Sequence, residues 1–245
     1  VGNESGLAGK TNWNTITKDT LYAGKGGISS LLNTGSEDGK DWIPAETDVS
    51  IRPGWFYHAA EDSLVKSPAR LFEIYLTSVG RGSTLLLNVP PDRRGLFHDN
   101  DLSSLKGFRA ILDSVFKTDL ARTAKANATI FRGKDPDYGA YAINDGKAET
   151  YWATDDGVLA GSTELTLDKP AKISYVQIQE YIKLGQRVKS FKIEARLAGK
   201  WKQIADGTTI GYKRILKIDP VVTDKVRITI LDSKACPLIS AVGLF

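Results

Sequence analysis

The sequence predicts an α/β region followed by an all-β region, and three features carry that reading. A capped amphipathic helix, "SPARLFEIYLTSVGRG", runs straight into the apolar stretch "TLLLNV". A second amphipathic segment, "DNDLSSLKGFRAILDSVF", follows one polar loop later. From Ile130 onward the helical period gives way to alternation of period two, broken at short intervals by turn residues.

In the first helix Ser67 suits the N-cap, Pro68 suits the first helical position, Leu71, Ile74 and Tyr75 share a face, and Gly80 is placed to end it. "TLLLNV", Thr84–Val89, is short, apolar and directly after a helix, which predicts a fully buried parallel strand. "PPDRRG" stops it. The second helix is capped near Asp99 and aligns Leu102, Leu105, Phe108, Leu112 and Phe116 on one stripe. Helix, buried strand, polar loop and helix is the order of an α/β barrel or a doubly wound sheet, folds whose loops after the strands carry chemistry. Only one such strand is clear, with one more expected before residue 60. Residues 1–66 otherwise read as mixed helix and loop. That makes the closing part of a barrel, unable to close alone. The segments "TELTLD", "ISYVQIQEYI", "KSFKIEARL", "KWKQIADG" and "RILKIDPVVTDKVRITILD" predict an antiparallel β-sandwich. The boundary falls at 118–125, dividing the chain into 1–120 and 121–245.

Composition narrows the classes. A hydrophobic share of 41% and a charged share of 25% fit a globular protein with a core. The net charge of +4 is spread out, with no Lys/Arg run, so neither nucleic acid nor an anionic membrane surface is indicated. No apolar run approaches the ~18 residues of a membrane span. The single cysteine, Cys236, excludes an internal disulfide and a multi-Cys metal site. That suits a reducing compartment and equally a bacterial periplasm or surface. Met is absent and the chain opens "VGNESGLAG", so Val1 reads as an internal position of a longer protein.

The densest stretch is "DWIPAETDVSIRPGWFYH", Asp41 to His58. Its Glu46 and Asp48 are two apart and would share one face of an extended segment. From the residues alone they accept hydrogen bonds from a ligand or brace Arg52. Trp55 offers a flat apolar surface with one donor, and Trp42 and Trp13 are further aromatic candidates. His58 reads as a surface group and His98 as loop. "WIPAETDVSIRPGWFYH", "LLLNVPPDRRG" and the opening "VGNESG" together resemble glycoside hydrolase family 29, the α-L-fucosidases, and the bacterial branch that accepts α-1,3/1,4-fucosides in particular. "AINDGKAETYWATDDG" and "CPLISAVGLF" resemble the discoidin, or coagulation-factor-type, jelly roll of many carbohydrate-binding modules.

The resemblance implies the C-terminal part of a (β/α)8-like barrel followed by an antiparallel β-sandwich of jelly-roll type. It implies a retaining exo-α-L-fucosidase acting on fucosylated oligosaccharides or glycoconjugates, in a bacterial periplasm or outside the cell. The family's nucleophile is an Asp on an earlier barrel strand, so a missing N-terminal barrel half is the expected partner. The family's spacing from that Asp reaches to Glu4 of "GNE" as general acid/base, with Glu46 as rival. Trp55, Glu46, Asp48, Arg52 and Trp13 are then the sugar-binding candidates. Asn88, at the strand end, would face the barrel mouth, near which Arg93 and Arg94 also fall. No cofactor is required for the chemistry. Asp145 and Thr150 match positions that hold a structural calcium in the sandwich family, but Ala241 stands where a Glu commonly completes that site. Trp152 matches a core anchor. The alternative reading is a non-catalytic carbohydrate-binding or adhesion protein, because the nucleophile is not in these residues.

Overall fold

The computed structural model describes residues 2–21 and 25–245; Val1 lies outside the described residues. The first part holds β1 (Gly2–Asn3), β2 (Thr15–Ile16), α1 (Ser29–Thr34), β3 (Asp41–Trp42), β4 (Glu46–Ser50), α2 (Pro68–Thr77), β5 (Thr84–Asn88) and α3 (Asp99–Val115). β1, β4 and β5 form a parallel sheet in that order, with Gly2 opposite Glu46 and Ser50 opposite Asn88. β2 and β3 make a separate antiparallel pair.

Ser67 caps α2 by accepting from the Arg70 amide at 3.2 Å, with Pro68 in the first turn. Its apolar face, Leu71 and Ile74, packs with Val49 and Ile51, and Leu105 and Phe108 of α3 join the same cluster. α2 ends at Thr77, and Gly80 lies just beyond it, where a Cβ would stand 2.4 Å from the Leu76 carbonyl oxygen. Alternation along the strands then sends Glu46, Asp48, Thr84 and Leu86 to the opposite face of the sheet. That face is open: Leu86 is 51% exposed. The strand expected to be buried on both sides is therefore buried on one, because both helices cover the same face.

α3 departs from its expected stripe. Leu102 is exposed while Asp101 and Ser104 are buried. Asp101 and Ser104 share a face with Leu105 and Phe108, at the i, i+3, i+4, i+7 spacing. The buried polar groups have partners, Arg52 for Asp101 and the Lys66 carbonyl for Ser104. His98 is not loop: it is the N-cap of α3, its Nδ1 accepting from the Asn100 amide at 3.2 Å.

The second part holds β6 (Lys125–Ala128), β7 (Trp152–Ala153), β8 (Gly161–Glu180), β9 (Val188–Leu197), β10 (Lys200–Gly207), β11 (Arg214–Ser233) and β12 (Leu238–Leu244), with strand order β10-β9-β11-β8-β12-β7 and β6 on β8. β8 and β11 are 20 residues each and pair along their length with register shifts near Pro220 and Asp224. The first half of β8 also carries β6 and its second half β12, while the second half of β11 also carries β9. Inward residues of both halves, among them Leu165, Ile178, Phe191, Ile228 and Val242, meet in one core around Trp152. Trp152 is 1% exposed and its indole N–H donates to the Ile130 carbonyl at 2.9 Å.

The two parts are joined by apolar and polar contacts. Phe116 meets Tyr175 at 6.0 Å and Phe245 at 5.0 Å, and Phe72 meets Tyr175 edge-on. Gln186 accepts from the Asn14 amide at 2.9 Å and donates to the Asn12 carbonyl at 2.8 Å. Glu180 supports that loop from beneath. Its carboxyl accepts from the amides of Arg187, Val188 and Gly211, and burial pushes its pKa up to about 7 despite these donors.

Candidate active site

The three parallel strands end on one side of their sheet. Glu4 lies in the turn that leaves β1. The Asn3 side chain accepts from the Ser5 amide at 2.8 Å, and the Gly6 amide donates to the Asp48 carbonyl at 3.0 Å, which ties the turn to β4. Gly6 has φ +67°, and a Cβ there would stand 2.9 Å from Val49 Cγ1. Glycine is thus demanded by conformation and by close approach. Glu4 itself is exposed. The parallel register of β1 and β4 brings the Glu4 turn alongside Asp48. Asp48 Oδ1 is buried on the open face without a hydrogen-bond partner.

Asn88 closes β5 and works as a pin. Its Nδ2 donates to Ser50 Oγ at 3.1 Å and to the Trp55 carbonyl at 3.0 Å. Trp55 is thereby held at the ends of β4 and β5, and the residue is 39% exposed. Phe56 beside it is more exposed still.

Arg52 and Trp13 are corrections to the expected sugar contacts. Arg52 is 0% exposed. Its Nε donates to Asp101 at 3.0 Å, and its Nη1 to Asp62 at 2.9 Å and to the His58 carbonyl at 3.4 Å. The guanidinium lies 4.8 Å from the Tyr57 ring. Neither Glu46 nor Asp48 braces it; Arg52 fastens the 52–58 loop to α3. Asp62 also sits 3.4 Å from His98 Nε2 and from the Tyr57 hydroxyl. Trp13 is 5% exposed and packs beneath the Lys234 ammonium, 5.5 Å away, so it belongs to the junction of the two parts. Trp42 is exposed on β3, and His58 is exposed at the surface.

In "PPDRRG", Asp92 accepts from Arg94 Nη2 at 2.6 Å, Arg94 Nε at 2.9 Å and the Arg94 amide at 2.8 Å. These bonds hold its carboxyl down at about 2. Arg94 thus closes a tight loop, and Arg93 is left exposed. A cavity of about 400 Å³ opens between Tyr57, Arg93, Arg94 and His98.

Glu46 occupies the other end of the sheet. It begins β4, four residues before Ser50, or roughly 13 Å at ~3.3 Å per residue. The structure therefore places Trp55 and Asn88 at the C-terminal ends of β4 and β5, Glu4 just past β1, and Asp48 mid-strand beside the Glu4 turn, two residues from Glu46. The clamp acids Asp62 and Asp101 were missed in the sequence. The signal for Asp101 was present, since it sits in phase with Leu105 and Phe108.

In the sandwich, Asp145 accepts from the Lys147 amide and from Thr150 Oγ1, each at 2.8 Å. Ala241 offers no oxygen from its side chain, and the Arg122 guanidinium presses on Gly146, 2.1 Å from where a Cβ would be. Among the described residues no three His, Cys, Asp or Glu side chains gather into a metal site. Asp145 and Thr150 would supply two of the six to eight oxygens calcium takes, and backbone carbonyls would have to supply most of the rest.

Comparison with known proteins adds to this geometry. Residues 123–242 match the F5/8 type C domain. The chain is 36% identical over 249 residues to α-L-fucosidase 1 of Arabidopsis thaliana, covering 100% of this chain and 49% of the relative. A glycoside hydrolase family 29 fucosidase of Ruminococcus gnavus, solved in complex with fucose, superposes with a TM-score of 0.89 at 34% identity, over 100% of this chain and 50% of that one. A candidate α-L-fucosidase of Bacteroides thetaiotaomicron gives 0.89 at 42% identity, over 100% and 53%. The chain spans about half the length of the curated relatives it matches, 47% and 49%. No helix among the described residues is long and apolar enough to cross a membrane. From end to end, the chain is similar to the C-terminal half of family 29 α-L-fucosidases, with an F5/8 type C domain as its second part.

Proposed function

We propose that this chain is the C-terminal half of a retaining exo-α-L-fucosidase that removes terminal α-1,3- or α-1,4-linked fucose from glycans. The observation that carries the reading is that Glu4, Trp55 and Asn88 lie at or just past the C-terminal ends of three parallel strands, where barrel enzymes keep their chemistry, with Asp48 mid-strand on the same open face. Similarity along the whole of this chain to about half the length of fucosidases supports the same assignment.

On this reading β1, β4 and β5 are the closing strands of a (β/α)8 barrel, and their open face is its interior. The exposed Leu86 and the unpartnered Asp48 Oδ1 support a cover from the N-terminal half, since parallel sheets are covered on both faces. That half supplies the nucleophile, within ~5–5.5 Å of the acid/base carboxyl in a retaining enzyme. Glu4 is the general acid/base. It protonates the departing glycosidic oxygen, then takes a proton from the water that cleaves the fucosyl-enzyme. Its position beyond β1 favours it over Glu46, which begins its strand. Trp55 offers its face to the apolar side of fucose, and Asp48 accepts a hydroxyl. The enzyme works in a periplasm or outside the cell, where such glycans and a disulfide-free chain are both at home.

The test is fucose release by the intact protein. Replacing Glu4 by Ala should cut kcat/KM on a fucosylated trisaccharide by about 10²–10⁴-fold, the usual worth of a positioned proton donor. Near wild-type turnover in that variant would sink the assignment of Glu4.

A further inference from the structure

We propose that the cavity between the two parts of the molecule, at Arg81 and Arg214, is an oxyanion-binding site. It would take a sulfate, phosphate or carboxylate group, free or carried on an acidic saccharide. The cavity measures about 790 Å³, and its wall includes Lys10, Arg81, Thr208, Arg214 and Lys217.

Two cations meet there, with no carboxylate among the described residues bonded to either. Arg81 and Arg214 are backbone bridge partners, joining the loop after α2 to the start of β11. Arg214 is 4% exposed, and Arg81 is half-buried. Arg81 Nη1 donates to the Ala8 carbonyl at 2.7 Å, and Arg214 Nη2 donates to the Lys10 carbonyl. Arg214 Nε is buried with no partner. Of the acids on the wall, Glu73 pairs with Arg70 at 3.0 Å, and Asp206 accepts from the Gln203 side-chain amide at 3.1 Å, while the Arg81 and Arg214 side chains bond to carbonyls.

Arg52 in the same chain shows what a satisfied buried guanidinium looks like. Two carboxylates raise its pKa against burial. At the junction the direction reverses. Burial lowers Arg81, and burial together with the Arg81 charge brings Arg214 down to about 10. A buried and a half-buried guanidinium whose hydrogen bonds go to carbonyls form a positive well, and their planar forks match the oxygens of sulfate, phosphate or carboxylate. An ion bound there would bridge the parts, because Ile215 already donates to the Gly80 carbonyl beside it at 2.8 Å.

The experiment is calorimetric titration of the intact protein with sodium sulfate and, separately, with a 6-sulfated galactose, each against sodium chloride at matched ionic strength. Thermal melts of wild type and Arg214→Met accompany it. The expected result is saturable binding of at least one probe, weakened tenfold or more in Arg214→Met, with a melting shift that the variant loses. Sulfate binding alone assigns a free ion. Tighter binding of the sulfated sugar assigns a saccharide. A melting shift that grows without saturation and is equal in both proteins is solvent exclusion and overturns the proposal. Absence of heat for both probes on the wild-type protein overturns it whether or not the variant folds.

Discussion

Asp101→Ala should loosen the sugar-side loop and destabilise the first part of the molecule together. Arg52 is wholly buried and faces two carboxylates: Asp101, itself 0% exposed, and Asp62, which water partly reaches. At ~4 Å and an effective dielectric of ~20, one such pair is worth about 4 kcal/mol of attraction. Removing one partner of a buried pair costs about 3–5 kcal/mol, because the remaining charge stays desolvated. Asp62 survives in this variant, so the lower end, about 3 kcal/mol, is expected. At ~2–4 °C per kcal/mol that is a fall of about 6–12 °C in the melting temperature of the unit containing α3. Arg52 also fastens the loop bearing Trp55, so KM for the fucosylated substrate should rise alongside. Differential scanning calorimetry and steady-state kinetics on the intact protein read both effects. Replacing the pair together, Arg52→Met with Asp101→Leu, should restore much of the stability, since no charge is left unpaired. A loss below about 1 kcal/mol for Asp101→Ala would refute the claim that this buried pair organises the loop.

Further outcomes follow from the same geometry. Gly6→Ala forces a left-handed backbone position and a clash on Val49, costing about 1–2 kcal/mol and displacing the Glu4 turn, so kcat should fall while circular dichroism of the sandwich stays unchanged. Asn88→Ala frees the Trp55 carbonyl, and losing ~1 kcal/mol of hydrogen bonding should lower kcat/KM about fivefold. Glu180 has a folded pKa above its unfolded value near 4.5, so its contribution is full below that value and is lost as pH rises through about 7. Melting temperature should therefore decline across that window in wild type, and decline less in Glu180→Gln. The 245-residue piece alone should show large particles by light scattering, because its parallel sheet has an open face and two free edges; a monodisperse monomer would count against the half-barrel reading.

Local signals were legible where one residue type meets one physical demand. Ser67 and Pro68 start a helix, Thr84–Asn88 makes a strand, and alternation from Thr163 to Ile178 writes the inward face of β8. The long-range pairings were not legible. Nothing near Arg52 announces that its partners lie at Asp62 and Asp101, because two segments distant in sequence supply them. β1 has only two residues, too short for any period, and its existence depends on β4 beside it. Trp13 could not be told from Trp55 by type; Lys234, from far along the chain, lies over one ring, and the Asn88 pin holds the backbone of the other. Where Glu4 and Glu46 stand on the sheet was likewise not legible, because the parallel pairing of β1 with β4 joins segments more than forty residues apart.

The central claim is that the proton donor stands at Glu4, at the mouth of the strands, and not at Glu46. The direct measurement is hydrolysis by Glu4→Ala and Glu46→Ala of two fucosides, one with an activated aryl leaving group and one with a sugar leaving group, with and without azide. The account predicts that Glu4→Ala loses the sugar-linked substrate far more than the activated one, and that azide restores turnover on the activated one by replacing the deprotonated water. Glu46→Ala should show neither signature. The opposite pattern, with azide rescue confined to Glu46→Ala, would contradict it.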